Sequence, residues 1–333
     1  RDCQQLHRLR DQRAGLSPRL KSLSYPPYGG LFFARIRSAV TKAANGNIMG
    51  SMCRVLVSMT GPRESDAPLT TAGEPITEAE AHRRLRSDDP SLQYYAAWWL
   101  GKMRSPHPDT VPLLLEALQL RQPREVGAGV ERNAVARNAA RALGKVGDGR
   151  VVPELLAALA DEDDGLREAA ARALGELRAE AAVTPLCERL ASGLEGAGAC
   201  RPDSPKLQEP CEALIEALGD IGVVREDVLA TIPPFLQHER PLIRSAAARA
   251  LLQLTGDHTF GEQLLSLLEH PQLQVRRAAL MDLGAVGWRV ALDPIRRTHA
   301  ENSLKLIALR GLVERGSGDP STEALLEAMD ELL

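Results

Sequence analysis

Between positions 94 and 99 the chain reads Tyr-Tyr-Ala-Ala-Trp-Trp, which puts four of its eleven aromatic side chains within six residues. On a helix Tyr94 and Trp98 share one face and Tyr95 and Trp99 the next, because residues four apart are neighbours. An exposed pair of this kind offers flat π surface to a ligand, to a partner protein or to another part of the chain. Arg137 and Arg141 repeat the same spacing and carry planar guanidinium forks suited to carboxylates. Brought together, these faces and forks would suit a planar, dicarboxylate ligand. Asn138 and Asp282 fall where related segments carry alanine. Buried polar groups need partners, so each either ties helices together or serves a ligand or a proton transfer.

The elements that must position these residues follow from self-similarity, which begins near residue 76. Seven segments align on an anchor leucine: Leu100, Leu143, Leu174, Leu218, Leu251, Leu283 and Leu312. The spacings are 43, 31, 44, 33, 32 and 29 residues, a unit of about 31 that is lengthened twice. Partner segments such as 110–121, 151–163, 182–193 and 228–239 lie between them and also carry a helical period. Pro112, Pro153, Pro185 and Pro233 stand near their starts, where a missing N–H costs little. Each unit therefore reads as helix A, turn, helix B, and no sustained alternation suggests strands. The expected fold is all-α, an α-α superhelix resembling HEAT repeats. Seven helix pairs should stack as a curved right-handed solenoid, with 321–333 as a capping helix. The insertions at 121–133 and 193–209 are rich in Gly, Pro and charge, and are expected to be loops on the rim.

In the third B helix, Leu166, Ala169, Ala170, Ala173, Leu174 and Leu177 fall on one arc, and Glu168, Ala171, Arg172 and Gly175 lie opposite. Two outward columns follow when the units are aligned. One reads Tyr94, Arg137, Glu168, Glu212, Ser245, Arg277, Leu306, and the other Trp98, Arg141, Arg172, Glu216, Arg249, Met281, Arg310. Tyr94 and Trp98 thus stand where other units mostly place charge, while Tyr95 and Trp99 replace small core alanines. They either cap the first repeat or bind something. The six arginines of the columns either form a solvated face, with pairs such as Glu168 and Arg172, or grip a ligand.

Composition bounds the remaining possibilities. With 44% apolar and 26% charged residues the chain falls outside the collagen, coiled-coil rod and disulfide-scaffold classes. No apolar window is long enough to span a membrane. Five cysteines without a C-x-x-C pair point to a reducing, cytoplasmic setting and to no metal site. Residues 1–58 hold ten basic residues against two acidic ones, a net of +8, and the rest of the chain carries −11. Residues 1–75 are expected to be a basic segment and linker, disordered or translated from upstream of the true start, and residues 76–333 the repeat domain. A nucleic-acid arm is the alternative for the basic segment, and a nucleic-acid partner is not expected. H-E-x-x-H, P-loop, G-x-S-x-G and dinucleotide fingerprints are absent. The seven histidines are scattered and are expected to be satisfied surface groups.

Four stretches carry a more specific likeness: Tyr94-Tyr-Ala-Ala-Trp-Trp-Leu-Gly-Lys102, Arg137-Asn-Ala-Ala-Arg-Ala-Leu-Gly-Lys145, Ala278-Ala-Leu-Met-Asp-Leu-Gly284 and Glu301-Asn-Ser-Leu-Lys-Leu-Ile-Ala-Leu309. They resemble the E/F-type phycobilin lyases, and within that family its E (alpha) subunits, over about residues 76–314. The paired Tyr and paired Trp are the specific part; the Arg137 stretch is nearer to a general HEAT consensus. The resemblance implies an enzyme that joins a linear tetrapyrrole, phycocyanobilin, to a Cys thiol of an apo-phycobiliprotein alpha subunit. It implies work as a heterodimer with an F-type subunit, in the cytoplasm of a phycobilisome-containing phototroph, with the bilin as substrate and no resident cofactor. The acceptor thiol belongs to the substrate, so catalysis would come from positioning. Arginines would grip the propionates, aromatics would pack on the pyrrole rings, and a carboxylate, with Asp282 a candidate, would hold the pyrrole nitrogens. The bilin-binding residues so implied are Tyr94, Tyr95, Trp98, Trp99, Arg137, Asn138, Arg141 and Asp282; no catalytic residue is assigned. A bilin-detaching relative and a non-enzymatic HEAT scaffold are the alternatives.

Overall fold

The computed structural model describes residues 76–121 and 133–333. The expectations for residues 1–75, and for most of the 121–133 insertion, lie outside them. Seven B helices, α2 (Pro90–Met103), α4 (Ala134–Val146), α6 (Asp164–Glu176), α8 (Cys211–Ile221), α10 (Pro241–Thr255), α12 (Leu273–Val286) and α14 (Asn302–Arg315), carry the seven anchor leucines. Their A partners are α1 (Glu78–Leu85), α3 (Thr110–Gln119), α5 (Val152–Leu159), α7 (Val183–Leu190), α9 (Glu226–Thr231), α11 (His258–Leu267) and α13 (Leu292–Arg297), with a 3-10 turn at Pro233–Gln237 extending α9. The capping helix α15 (Thr322–Asp330) packs on α13 and α14. Seven pairs and a terminal helix are what the repeat arithmetic leads one to expect, and the described residues contain no named strand. The 193–209 insertion is irregular, pinned by one isolated bridge between Cys200 and Leu207.

Local chemistry fixes the boundaries. Side chains of Asp89, Asp163, Asp257 and Ser321 accept the free N–H groups at the starts of α2, α6, α11 and α15. Gly147, Gly222, Gly256 and Gly287, all with positive φ, end α4, α8, α10 and α12 in left-handed caps.

A second device recurs seven residues before the anchor. Gln93 donates to the Ser87 carbonyl, and Arg167 to those of Asp161 and Glu162. Arg244 donates to His238 and Glu239, Arg276 to His270 and Pro271, and Lys305 to Arg296. Each satisfies carbonyls where helix A gives way to helix B, groups that a helix end leaves without partners. Ala136 and Cys211 stand at this position in the second and fourth units. Those are the two units whose A-to-B connection is lengthened, so the clamp is missing where the short turn is missing.

The Leu-Gly signature has a packing cause. A Cβ added at Gly101 would lie 2.7 Å from the Cα of Ala142, at Gly144 2.6 Å from that of Ala173, at Gly175 3.0 Å from that of Ala217, and at Gly219 2.8 Å from that of Ala250. Glycine after the anchor thus lets each B helix meet an alanine of the next at backbone distance. This corrects the helical-wheel assignment of Gly175 and Ala171 to the solvent side: Ala171 is fully buried and Gly175 is buried against α8. At the fifth seam the pairing is replaced, with Leu252 in the glycine position and Asp282 in the alanine position.

Candidate functional site

Of the residues singled out by their chemistry, Tyr94, Trp98, Arg137 and Arg141 lie in the outward columns, and Tyr95, Trp99, Asn138 and Asp282 in the columns that face the preceding B helix. On α2, Tyr94 and Tyr95 are 37% and 53% exposed, their rings meeting edge to face at 5.5 Å. Trp98 is half-buried with the Lys102 ammonium 4.9 Å above its ring, and Trp99 is buried. Trp99 therefore fills the core as expected, but Tyr95 does not. Its column faces the preceding B helix, and α2 is the first B helix of the described residues.

The arginines divide sharply. Arg137 forms a two-pronged ion pair with Asp163, the N-cap of α6, its Nε donating to Oδ1 at 2.9 Å. Asn133 also donates to that carboxylate, and despite its burial these partners hold Asp163 below the usual carboxylate range. Gly165 leaves the room for this clamp, since a Cβ there would lie 2.7 Å from Arg137 Nε. Arg277 pairs with Glu301, which is drawn down to about 2, and Arg310 with Glu314. Arg172 meets Glu168 at 3.3 Å, the expected i, i+4 pair, and also Glu212 and Glu216. Arg141 has no ion pair or hydrogen bond among the described residues, and it lies between Trp98 and Arg172 in its column. Asn138 is buried and donates to the Tyr94 carbonyl at 3.2 Å, tying α4 to α2.

Asp282 occupies the widened fifth seam. Ser245 donates its hydroxyl to Oδ2, and Arg249 Nη1 lies 3.5 Å from Oδ1. Burial pushes this carboxyl up to about 6, outweighing the attraction of Arg249, while Glu216 and Glu212 add to the rise. Arg249 is shared with Asp220 at 2.7 Å and Glu216 at 3.6 Å, and these carboxylates raise its own pKa despite burial. The chain Asp282–Arg249–Glu216–Arg172 thus crosses four consecutive B helices. Ser245, Arg249 and Glu216 stood in the outward columns, but no local signal marked them as a network. The one available hint was the loss of glycine at Leu252.

Two histidines depart from the surface role expected of them. His82 is buried, its Nε2 2.9 Å from Thr110 Oγ1, and Thr110 in turn bonds Ser105, which donates to Glu78. Burial, with His107 beside it, lowers the His82 pKa. His238 is buried against the 193–209 insertion, Nε2 2.9 Å from the Gly198 carbonyl. Among the described residues no group of three His, Cys, Asp or Glu is placed to hold a metal ion, and no helix is long and apolar enough to cross a membrane.

Among the described residues the outward columns offer the Tyr94 and Trp98 rings and one guanidinium, Arg141, without an ion pair. Comparison with known proteins gives the context. HEAT repeats match residues 128–196 and 208–284, and the PBS lyase HEAT-like repeat matches 92–119 and 275–297. The chain is 47% identical over 260 residues to the bilin biosynthesis protein RpcE of Synechococcus sp. WH8020, covering 78% of this chain and 96% of that protein. It is 44% identical over 258 residues to the phycocyanobilin lyase subunit alpha of Synechocystis sp. PCC 6803, covering 74% and 93%. The solved complex of CpcE and CpcF of phycocyanin lyase from Nostoc sp. PCC 7120 contains a chain that superposes with a TM-score of 0.71 at 40% identity, covering 82% of this chain and all of that one. With its repeats, its paired Tyr and Trp and this extent of identity, the chain belongs to the HEAT-repeat phycobilin lyases, among the E (alpha) subunits.

Proposed function

We propose that this protein is the E-type subunit of a heterodimeric phycobilin lyase, which attaches phycocyanobilin through a thioether bond to a Cys of an apo-phycocyanin alpha subunit. The partner is an F-type HEAT subunit, and the pair works in the cytoplasm of a phycobilisome-containing phototroph; the cyanobacterial relatives support both points. Residues 76–333 form the lyase domain. One observation carries the ligand assignment: Tyr94 and Tyr95 are exposed on α2, and α4, which packs against it, carries a guanidinium, Arg141, that no carboxylate of the described residues neutralises. An exposed aromatic pair is costly in water unless something covers it, and a guanidinium with no carboxylate of its own is available to one that a ligand brings.

The thiol adds across the exocyclic double bond of the bilin, sulfur bonding to carbon while a proton is delivered to the ring. The lyase raises the rate by holding pigment and thiol in one geometry. Tyr94, Tyr95 and Trp98 form the packing surface, with Trp99 anchoring it from the core. Asn138 fixes the register of α4 against α2 and so places Arg141 beside Trp98. Arg137 serves by holding α6 in place through Asp163, and Asp282 by holding Arg249.

Retention of phycocyanobilin by the purified heterodimer tests this. Tyr94→Ala combined with Trp98→Ala is expected to lower retention at least tenfold while the heterodimer still assembles. Unchanged retention would remove the aromatic surface from the binding site.

A further inference from the structure

The B-helix face is split by charge. Together with the column two residues after the anchor leucine, which reads Lys102, Lys145, Glu176, Asp220, Gln253, Ala285, Glu314, its two outward columns carry Lys102, Arg137, Arg141 and Lys145 in the first two repeats, and no acid. In repeats three to five the same columns carry Glu168, Glu176, Glu212, Glu216 and Asp220 against only Arg172 and Arg249. Of the four cations, Arg137 is consumed by Asp163, whereas Arg141 has no ion pair among the described residues and the Lys102 ammonium rests on the Trp98 ring. On the acidic side three carboxylates, Glu168, Glu212 and Glu216, share the single guanidinium of Arg172. Glu216 is further taken up by Arg249 and is largely buried, but Glu168 and Glu212 keep side chains 39% and 41% exposed. Asp282 is sealed behind Ser245 and Arg249 and presents no surface to a ligand.

Resting on the bilin-ligating function, we infer that this split orients the pigment: its propionates face Arg141 and Lys145 on α4, and its protonated pyrrole nitrogens face Glu168 and Glu212 on α6 and α8. The partner of the nitrogens is then this exposed pair rather than Asp282. In an extended linear tetrapyrrole the two central rings carry their propionates on one edge and their nitrogens on the opposite one. Neighbouring packed helices lie roughly 8–10 Å apart, a spacing that lets adjacent helices meet the two edges separately. A reversed pigment would set propionates against glutamates that already share one guanidinium, so the split selects one orientation. Partial burial and the like charge of Glu216 raise the Glu212 carboxyl above its usual range, against the pull of Arg172, as expected of a site short of positive charge.

The test uses the purified heterodimer with two probes, phycocyanobilin and its dimethyl ester, titrated by absorbance. The wild type should bind the free acid about tenfold more tightly than the ester, one strong ion pair's worth. Arg141→Glu with Lys145→Glu should remove that preference or reverse it in favour of the ester. Glu168→Gln with Glu212→Gln should weaken both probes alike and shift the long-wavelength band of the bound pigment to the blue, as protonation is lost. Equal wild-type affinity for acid and ester, a preference that survives charge reversal, or an unmoved band in the Gln pair would each overturn the orientation. Failure of the wild type to bind either probe would overturn the ligation function itself, and the orientation with it.

Discussion

At the scale of single residues, burial decides which of the chemically capable groups can reach a ligand. Asp282 is the clearest case. Its folded pKa of about 6 lies above the 3.8 of an exposed Asp, so the folded state holds the proton more tightly than the unfolded chain does. Its contribution to stability is therefore fully present below about pH 4 and lost as pH rises toward 6, a loss on the order of 3 kcal/mol. Asp282→Asn removes this titration. The stability of the variant relative to wild type should rise between pH 4 and 6 and level off above, as measured by urea unfolding at a series of pH values. A constant difference across that range would show that the carboxyl does not titrate there. The sequence marked Asp282 and Asn138 as polar groups in core columns, and both are buried. It could not show that Arg137 is consumed by Asp163 while Arg141 is left unpaired. Both stand on one helix with the same spacing, and the difference comes from a carboxylate on the next helix.

At the scale of elements, the anchor leucine and the glycine after it set how closely consecutive B helices approach. Gly144→Ala would drive a Cβ into the backbone of Ala173, and neither helix can yield without disturbing its own A partner. The expected loss is about 1–3 kcal/mol, read from chemical denaturation. An unchanged midpoint would mean that the seam is looser than its geometry. Helix existence, type and order were legible because the units repeat the same apolar period, with a proline start in four of them and a glycine stop in four. What a wheel drawn for one isolated helix misses is the neighbour. Ala171 and Gly175 lie opposite the anchor arc, yet the next B helix covers them. Tyr95 lies on a covered column, yet no B helix of the described residues precedes the first repeat. The carbonyl clamp seven residues before the anchor shows the same dependence on context. It was visible as recurring Arg and Lys, but its meaning appears only when the turn that it closes is seen.

At the scale of the whole molecule, stacking turns one weak pattern into a continuous surface. A single B helix presents one or two usable side chains; seven in register present columns that begin aromatic and basic, become acidic, and end with Met281 and two arginines held by Glu301 and Glu314. Such a surface suits an extended pigment better than a small compact ligand. It also explains why no catalytic motif stands out in the sequence: the reacting thiol belongs to the acceptor, and the lyase supplies geometry and charge. This chain, with its partner, ligates a bilin. Co-expression of the full chain with an F-type subunit, a phycocyanobilin-producing pathway and an apo-phycocyanin alpha subunit tests it most directly, read as zinc-enhanced fluorescence on a denaturing gel. A fluorescent alpha-subunit band that requires both lyase chains is the predicted result. An alpha subunit that stays dark, with both lyase chains soluble and paired, would contradict it.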